Sequence, residues 1–279
     1  MDRYAVIGNP VEHSKSPRIH ALFVRQTGQD MRYDARCAPR DGFAAAVQAF
    51  RGEGGRGANV TVPFKLDACA LADALSTRAQ AAGAVNTLTF TDEGIAGDNT
   101  DGVGLLRDLI VNLACPLAGQ RVLLLGAGGA ARGVLVPLLD ARPAKLVIAN
   151  RSSARARELH AALAAHGGQA AFRAGGFADL AGDAFDVVIN ATSASLEHAL
   201  PPLPQGVFAP GAFAYDLMYG EAAQAFLAAS RAAGAARCAD GLGMLVEQAA
   251  ESFAIWRGVR PDSGAVLAEL RRELAGAAR

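Results

Sequence analysis

Two glycines and an alanine follow a short apolar run in the middle of the chain. The run RVLLL at residues 121–125 leads into Gly126, Gly128 and Ala131, which fill the spacing G-x-G-x-x-A. In this pattern the first glycine allows a tight turn, the second lets a pyrophosphate approach the backbone, and the alanine keeps the helix close to its strand. The N–H groups that begin the helix then bind phosphate. The spacing predicts a dinucleotide site, with an ordinary tight strand–helix turn as the alternative.

The residues after this turn indicate which dinucleotide binds. Residues 129–149 have the pattern of a helix followed by a buried strand, which completes the required unit. Where NAD binds, an Asp or Glu usually follows the second strand. The residues at that place here are Asn150, Arg151, Ser152 and Arg155. Guanidinium groups favour a 2′-phosphate, so we predict NADP(H) rather than NAD(H). A solvated basic helix start is the alternative.

Within the first 101 residues, polar side chains also lie where several predicted strands end. In open α/β sheets, ligands bind outside the carboxyl ends of the strands. Hydroxyls, amides, one amine and one carboxylate suit a polyhydroxylated acid. The residues are Ser14, Ser16, Asn59, Thr61, Lys65, Asn86 and Asp101. Taken singly, each has an ordinary structural interpretation: a helix cap for the serines and the aspartate, an exposed lysine, or a turn asparagine.

The order of the elements predicts an α/β protein with two domains. Strand and helix patterns alternate from residue 4 to residue 112, and one of the predicted helices covers residues 65–75. Such alternation favours a mixed, mostly parallel sheet covered by helices. The dinucleotide unit restarts the alternation at residue 121, which predicts a second, Rossmann-type domain. Two helices are predicted near the end of the chain, at residues 245–256 and 263–274.

Composition restricts the class of protein. The 279 residues contain 27 Lys plus Arg and 27 Asp plus Glu, so there is no broad basic surface for nucleic acid. The cysteines Cys37, Cys69, Cys115 and Cys238 are scattered, which disfavours a zinc site or disulfides and suits a reducing cytoplasm. The N-terminus has no signal-peptide pattern, and no apolar run approaches the ~20 residues of a membrane span. We expect a cytoplasmic enzyme without a metal, a nucleic-acid partner or a membrane partner.

Six long blocks resemble the shikimate dehydrogenase family over essentially the whole chain. They are GNPVEHSKSPRIH from Gly8, GANVTVPFK from Gly57, AGAVNT from Ala82, GDNTDGVG from Gly97, GAGGAARGV from Gly126 and ADGLGMLVEQAA from Ala239. The resemblance implies reversible NADPH-dependent reduction of 3-dehydroshikimate to shikimate, in the shikimate pathway of aromatic amino acid biosynthesis, which produces chorismate. It also implies a substrate domain at 1–103, an NADP domain at 104–239, and C-terminal helices at 240–279 that pack back on the substrate domain.

The resemblance assigns roles to single residues. Ser14 and Ser16 would bind the substrate carboxylate, and Lys65 and Asp101 would form the catalytic pair. The residues at the ring hydroxyls would be Thr61, Asn86 and Gln248, with Asn59 and Tyr219 nearby. The cofactor positions would be Gly126, Ala127, Gly128, Gly129, Ala130, Asn150, Arg151, Ser152, Arg155, Leu217 and Gly241. Residues 194–197 depart from the glycine-containing run of the family, which puts the shape of that loop in doubt.

Hydride transfer between a C–OH group and nicotinamide requires proton transfer at the same oxygen. We expect Lys65 to exchange that proton while Asp101 orients the hydroxyl; the sequence does not divide the proton between them. One alternative is a quinate/shikimate dehydrogenase, usually NAD-linked, which the arginines disfavour. An enzyme like methylene-tetrahydrofolate dehydrogenase would not need the Ser-Lys-Ser-Pro block, and a non-catalytic NADP-binding sensor would not need Lys65 and Asp101. The oligomeric state stays open, with a homodimer as one option.

Overall fold

The chain folds into two compact units. The computed structural model describes residues 1–163, 171–192 and 199–277. Unit 1 combines Met1–Gly104 with Leu245–Arg279, and unit 2 is Leu105–Met244. The sequence placed the corresponding boundaries after residues 103 and 239, so the second boundary lies further along the chain. The departing loop at residues 194–197 lies outside the described residues.

Unit 1 is built on a six-stranded mixed sheet with the order β2-β1-β3-β5-β6-β4. Its strands are β1 (Asp2–Gly8), β2 (Met31–Cys37), β3 (Gly55–Val60), β4 (Ala74–Leu75), β5 (Thr87–Thr91) and β6 (Gly94–Asp98). Its helices are α1 (Ser16–Thr27), α2 (Phe43–Gly52), α3 (Lys65–Leu71) and α4 (Thr77–Ala82), with α5 (Asp101–Arg107) beginning in this unit. Strands β1, β2 and β3 are parallel, whereas β5 runs antiparallel to both of its neighbours.

Unit 2 is built on a second six-stranded sheet, in which every pair of neighbours is parallel, with the order β12-β11-β10-β7-β8-β9. Its strands are β7 (Arg121–Leu125), β8 (Lys145–Ala149), β9 (Ala171–Gly175), β10 (Phe185–Asn190), β11 (Phe208–Asp216) and β12 (Arg237–Asp240). Its helices are α6 (Gly129–Asp140), α7 (Ser153–Leu163) and α8 (Glu221–Ala232), with a π-helical turn at Asp108–Asn112. The chain then continues through α9 (Leu242–Arg257) and α10 (Ser263–Ala277).

The apolar run before Gly126 is explained by burial on both faces of the second sheet. Val122 and Leu124 pack into one hydrophobic cluster, and Leu123 and Leu125 pack into another. Successive side chains of a strand point to opposite faces, so a parallel strand covered on both sides must be apolar at every position. The run therefore fixes β7 in the middle of the sheet, where its carboxyl end is flanked by those of other strands.

The predicted helix at 65–75 is wrong in its second half. Helix α3 ends at Leu71, where Ala72 adopts an extended backbone, and Ala74–Leu75 pairs with β6 instead. The side chain and the backbone N–H of Asp73 both bond Ile95, with N···O distances of 2.8 Å. These contacts between residues distant in sequence override the helical pattern, which apolar spacing alone cannot reveal.

His20 is buried in unit 1 rather than displayed to solvent. The imidazole of His20, on α1, is 0% exposed and stacks on Tyr33, with ring centroids 3.9 Å apart. Phe23 and Phe253 also lie against it. Burial lowers the pKa of His20 to about 3, because the site keeps out the water that would solvate a positive charge. The folded protein therefore holds this imidazole neutral.

We expect His20 to make stability fall in acid. As the pH falls, this histidine is protonated in the unfolded chain near pH 6.5 but stays neutral in the folded protein down to about pH 3. The free energy of unfolding is therefore unaffected by His20 above pH 6.5 and declines as the pH falls from 6.5 towards 3. The decline approaches about 1.4 kcal/mol per pH unit. Urea unfolding of wild type and His20→Phe between pH 4.5 and 8 should show a shallower pH slope for the variant. His13→Gln, at an exposed histidine, is the control; equal slopes for wild type and His20→Phe would contradict this expectation.

Candidate functional site

The six strands of unit 2 end in one row. The strand-final residues pair in the order Gly175, Ala149, Leu125, Asn190, Asp216 and Asp240. The residue after each strand end therefore lies on the same edge of the sheet. These following residues are Gly176, Asn150, Gly126, Ala191, Leu217 and Gly241. Apart from Gly176 and Ala191, all were assigned to the cofactor from the family resemblance, and the register brings them to one edge.

The two glycines of the turn serve different needs. Gly126 has φ +110°, and a Cβ there would lie 2.9 Å from the carbonyl oxygen of Ala191, so backbone conformation and packing both require glycine. Gly128 has ordinary negative φ, and a Cβ there would meet nothing within 4 Å. Protein packing does not explain Gly128, whereas a ligand held against its backbone at the start of α6 does. This turn therefore fits a pyrophosphate.

The basic residues after β8 are exposed beside that turn. Arg151, Ser152 and Arg155 are all solvent-exposed. Ser152 Oγ accepts from the backbone N–H of Arg155 at 3.5 Å, and Asn150 Nδ2 donates to the Ser152 carbonyl at 3.0 Å. Within the described residues neither guanidinium is paired with a carboxylate. The two guanidiniums thus fit a 2′-phosphate.

A pair of buried aspartates holds the loop after β11. Asp216 accepts from the N–H of Met218 at 2.9 Å, and Asp240 accepts from the N–H of Gly220 at 3.0 Å. The N–H of Gly241 donates to the Met218 carbonyl at 2.8 Å, and a Cβ on Gly241 would overlap the Leu217 carbonyl. These bonds order the loop that carries the predicted residues Leu217 and Tyr219. Tyr219 belongs to unit 2, whereas the other predicted substrate residues belong to unit 1.

In unit 1, the antiparallel strand β5 brings Asn86 to the edge where other strands end. Asn59 pairs with Thr87, and Thr87 pairs with Asp98. The residue just before β5 is therefore placed among residues that follow or end β3 and β6. Strand β5 begins at Thr87, and Asn86 immediately precedes it.

Lys65 and Asp101, the predicted catalytic pair, are in direct contact. Lys65 is the first residue of α3 and Asp101 the first residue of α5. Their Nζ and Oδ2 atoms are 2.5 Å apart, and the side chains are 14% and 5% exposed. The ordinary interpretations therefore do not hold for these two: the lysine is not a solvated surface residue, and the Asp101 carboxylate contacts Lys65 and Asn86 rather than capping the helix.

Asn86 fixes the other oxygen of Asp101. Its Nδ2 donates to Asp101 Oδ1 at 2.9 Å and to Gln248 Oε1 at 3.2 Å. Its Oδ1 accepts from the N–H of Thr100 at 2.9 Å, and a backbone N–H can only donate, so the orientation of the amide is determined. The carboxylate is thus held between an ammonium and an amide, and its geometry is set before any ligand arrives.

Sequence reasoning missed the Ser252 hydroxyl, which belongs to a hydrogen-bond network next to Asn86. Thr87 Oγ1 and Ser252 Oγ lie 2.9 Å apart, and Asn59 Nδ2 donates to both, at 3.1 Å and 2.9 Å. Tyr33 donates to Asn59 Oδ1 at 2.7 Å. Asn59 is thus engaged in a buried network, where it supports Asn86 through the Asn86 carbonyl at 3.2 Å. Ser252 could have been found, because it lies four residues after Gln248 on the same helical face.

The remaining predicted substrate residues lie near the carboxyl ends of β1 and β3. Ser14 and Ser16 flank Lys15, the residue before α1, and Ser14 Oγ accepts from the N–H of Ser16 at 3.3 Å. Thr61 directly follows β3 and is partly exposed. Ser16 is buried and Ser14 is partly exposed.

Known proteins resemble this chain over most of its length. The family model of the shikimate dehydrogenase substrate binding domain matches residues 6–88, that of shikimate/quinate 5-dehydrogenase matches residues 109–199, and that of the shikimate 5′-dehydrogenase C-terminal domain matches residues 241–271. A shikimate dehydrogenase (NADP(+)) of Aromatoleum aromaticum is 64% identical, over 99% of each chain. The chain belongs to the shikimate dehydrogenase family. Another member, from Dechloromonas aromatica, is 59% identical over 98% of each chain.

Solved structures agree with this family membership. The shikimate 5-dehydrogenase of Thermus thermophilus, in complex with NADP(H) and shikimate, is 33% identical with a TM-score of 0.84, over 98% of this chain and 99% of that chain. A 5-ketofructose reductase of a Gluconobacter strain is 29% identical with a TM-score of 0.80, over 97% and 98%. The α/β fold with two sheets expected from the sequence is confirmed.

The described residues contain neither a metal cluster nor a membrane-spanning helix. Among residues 1–163, 171–192 and 199–277, no cluster of three His, Cys, Asp or Glu side chains is arranged to hold a metal ion. Within the same ranges, no helix combines the length and apolar character of a membrane span. The four cysteines are free thiols.

Proposed function

We propose that this protein is a shikimate dehydrogenase that catalyses the reversible NADPH-dependent reduction of 3-dehydroshikimate to shikimate, a step of chorismate and aromatic amino acid biosynthesis. The observation that carries the proposal is the contact between Lys65 and Asp101, with Asn86 on the second carboxylate oxygen. A protein that only sensed NADP would not need a nearly buried amine and carboxylate in contact. Identity of 64% to a shikimate dehydrogenase (NADP(+)) supports the substrate.

The proposed roles follow from the hydrogen bonds of the pair. Lys65 gives a proton to the carbonyl oxygen of 3-dehydroshikimate in one direction and removes it from the shikimate hydroxyl in the other. Asp101 holds the lysine amine and orients the hydroxyl, while Asn86 keeps Asp101 in place. Ser14 and Ser16 bind the substrate carboxylate, and Thr61 and Gln248 bind ring hydroxyls. Bound NADP(H) supplies or accepts the hydride.

The cofactor residues are proposed on separate grounds in unit 2. The backbone of residues 126–130 holds the pyrophosphate, and Arg151, Ser152 and Arg155 bind the 2′-phosphate, as the exposed guanidiniums and the absence of a carboxylate at that place support. Asn150, Leu217 and Gly241 line the same edge of the sheet. The thiols support a cytoplasmic location.

Initial rates with four substrate pairs test this function. Shikimate and quinate, each with NADP⁺ and with NAD⁺, should give the highest kcat/KM for shikimate with NADP⁺. Faster oxidation of quinate with NAD⁺ would replace the proposal by a quinate/shikimate dehydrogenase. Reduction of 5-ketofructose belongs in the same assay because a reductase of that ketone shares the fold. Sedimentation of the active preparation tests the homodimer.

A further inference from the structure

A single arginine joins two carboxylates beside the candidate substrate site. Arg78, on α4, donates from Nε to Asp98 Oδ1 at 2.6 Å and from Nη2 to Asp98 Oδ2 at 2.9 Å. Its Nη1 donates to Glu251 Oε1 at 3.0 Å. The three side chains are 32%, 20% and 21% exposed. The guanidinium is therefore held by a bidentate pair on one side and a single bond on the other.

Both carboxylates stand three residues from a predicted substrate residue. Asp98 ends β6 and precedes Asp101, and its Oδ1 also accepts from the N–H of Asn99 at 2.7 Å. Glu251 follows Gln248 on α9, and residues three apart on a helix lie on neighbouring positions of its surface. Arg78 thus ties the segment that carries Asp101 to the helix that carries Gln248.

We infer that Arg78 is a positioning residue, which sets the place of Gln248 relative to Asp101 through Glu251 and Asp98. The inference rests on the proposed function, because it assumes that Gln248 and Asp101 meet the substrate. In the described part of the chain the Arg78 side chain bonds Asp98 and Glu251, not the substrate residues themselves. It therefore acts through the elements that it connects.

The contacts of Arg78 with Asp98 and Glu251 are ion pairs between charged groups. Burial raises the pKa of the Asp98 carboxyl, but hydrogen bonds from Arg78 and Ser76 outweigh it and hold the pKa below its usual value. The Glu251 carboxyl behaves in the same way, with Arg78 and Arg260 as its partners. Both carboxylates are charged at neutral pH. Without the guanidinium, Asp98 loses its bidentate partner and Glu251 keeps Arg260 alone. The two partly buried negative charges would then repel each other, which favours their separation.

Arg78→Gln tests the inference, with steady-state oxidation of shikimate by NADP⁺ as the readout. We expect KM for shikimate to rise about fivefold, since energetic coupling through such networks is of the order of 1 kcal/mol. The kcat should change less than about threefold, because the Lys65–Asp101 contact is kept. Arg78→Lys should recover part of the loss, because it restores the charge but not the bidentate geometry.

Arg121→Gln is the matched control. Arg121 begins β7 and makes a bidentate pair with Asp186, near the start of β10, with N···O distances of 3.0 Å and 2.7 Å. This pair lies at the amino-terminal edge of the unit 2 sheet, away from the carboxyl ends of its strands. Its loss should leave KM for shikimate unchanged. A Tm that falls in Arg78→Gln while KM stays at the wild-type value would show a merely structural ion pair and would overturn the inference.

A double-mutant cycle separates the remaining outcomes. Glu251→Gln should raise KM, and the double variant with Arg78→Gln should be no worse than Arg78→Gln alone, because one linkage is lost in both. Should Arg78→Gln fail to fold, unchanged KM in both Arg78→Lys and Glu251→Gln would overturn the inference. Wild-type protein unable to oxidise shikimate would overturn the proposed function and this inference together, whereas wild-type turnover with unaffected variants overturns the inference alone.

Discussion

Lys65→Ala is expected to lower kcat for shikimate oxidation by about 10²–10⁴-fold, the usual contribution of a positioned general acid or base. The loss should appear in kcat because the amine takes part in proton transfer in the transition state rather than in binding the substrate ring. Asp101 keeps its bond from Asn86 in the variant, so the pocket should keep its shape. Calorimetric titration with shikimate should give a dissociation constant within a few-fold of wild type. Wild-type turnover by the variant would exclude Lys65 as the catalytic residue.

Two further variants distinguish proton transfer from simple charge. Lys65→Arg keeps a cation but cannot release its proton near neutral pH, so its kcat should stay low if Lys65 transfers a proton. Recovery of kcat in Lys65→Arg would show that the charge alone suffices. Asp67→Asn, at an exposed position in the same first turn of α3, is the matched control and should keep wild-type kcat.

Replacing Arg151 and Arg155 together by alanine is expected to raise KM for NADP⁺ by about 10²-fold. A hydrogen bond to a charged group contributes about 1.5–3 kcal/mol, and exposure reduces each to the lower part of that range, so two lost bonds amount to about 3 kcal/mol. NAD⁺ has no 2′-phosphate, and its kcat/KM should change little. The measurement is the ratio of kcat/KM for the two cofactors in wild type and the variant.

Arg157→Ala controls for the loss of positive charge on α7. Arg157 is exposed, donates to Ser153 Oγ at 2.8 Å, and lies two residues after Arg155, so its side chain points about 200° away around the helix. This variant should keep the wild-type preference for NADP⁺. An equal loss in both variants would attribute the effect to general electrostatics, and an unchanged ratio in the double variant would place the 2′-phosphate elsewhere.

The features that the sequence predicted well are those with local causes. The apolar run, the positive-φ glycine and the helix after it lie within one short segment, so their spacing is readable without tertiary structure. Lys65 and Asp101 were candidates because of their place after predicted strands and the family resemblance. Their contact, and its support by Asn86, depends on a pairing between β3 and β5 that no local pattern encodes.

What escaped prediction depends on long-range contacts. A strand as short as β4 has no periodicity, and Asp73 commits it to β6 rather than to α3. Arg78 lies on α4, a helix too short to give a clear apolar pattern, and its partners are distant in sequence. Ser252 enters the site because α9 belongs to unit 1 from Leu245 onward, although this segment follows unit 2 in the chain. Propensity and spacing carry no information about these partners.

The division of unit 1 into two chain segments has a consequence for biosynthesis on the ribosome. Unit 2 is continuous from Leu105 to Met244, so its sheet can be completed before α9 and α10 have fully emerged from the ribosome. Domains generally fold as units in the order of synthesis. The strands of unit 1 emerge first but must await the segment that carries Gln248, Glu251 and Ser252. The network of side chains around Asp101 is therefore among the last parts of the nascent protein to be assembled, after the sheet of unit 2 has formed.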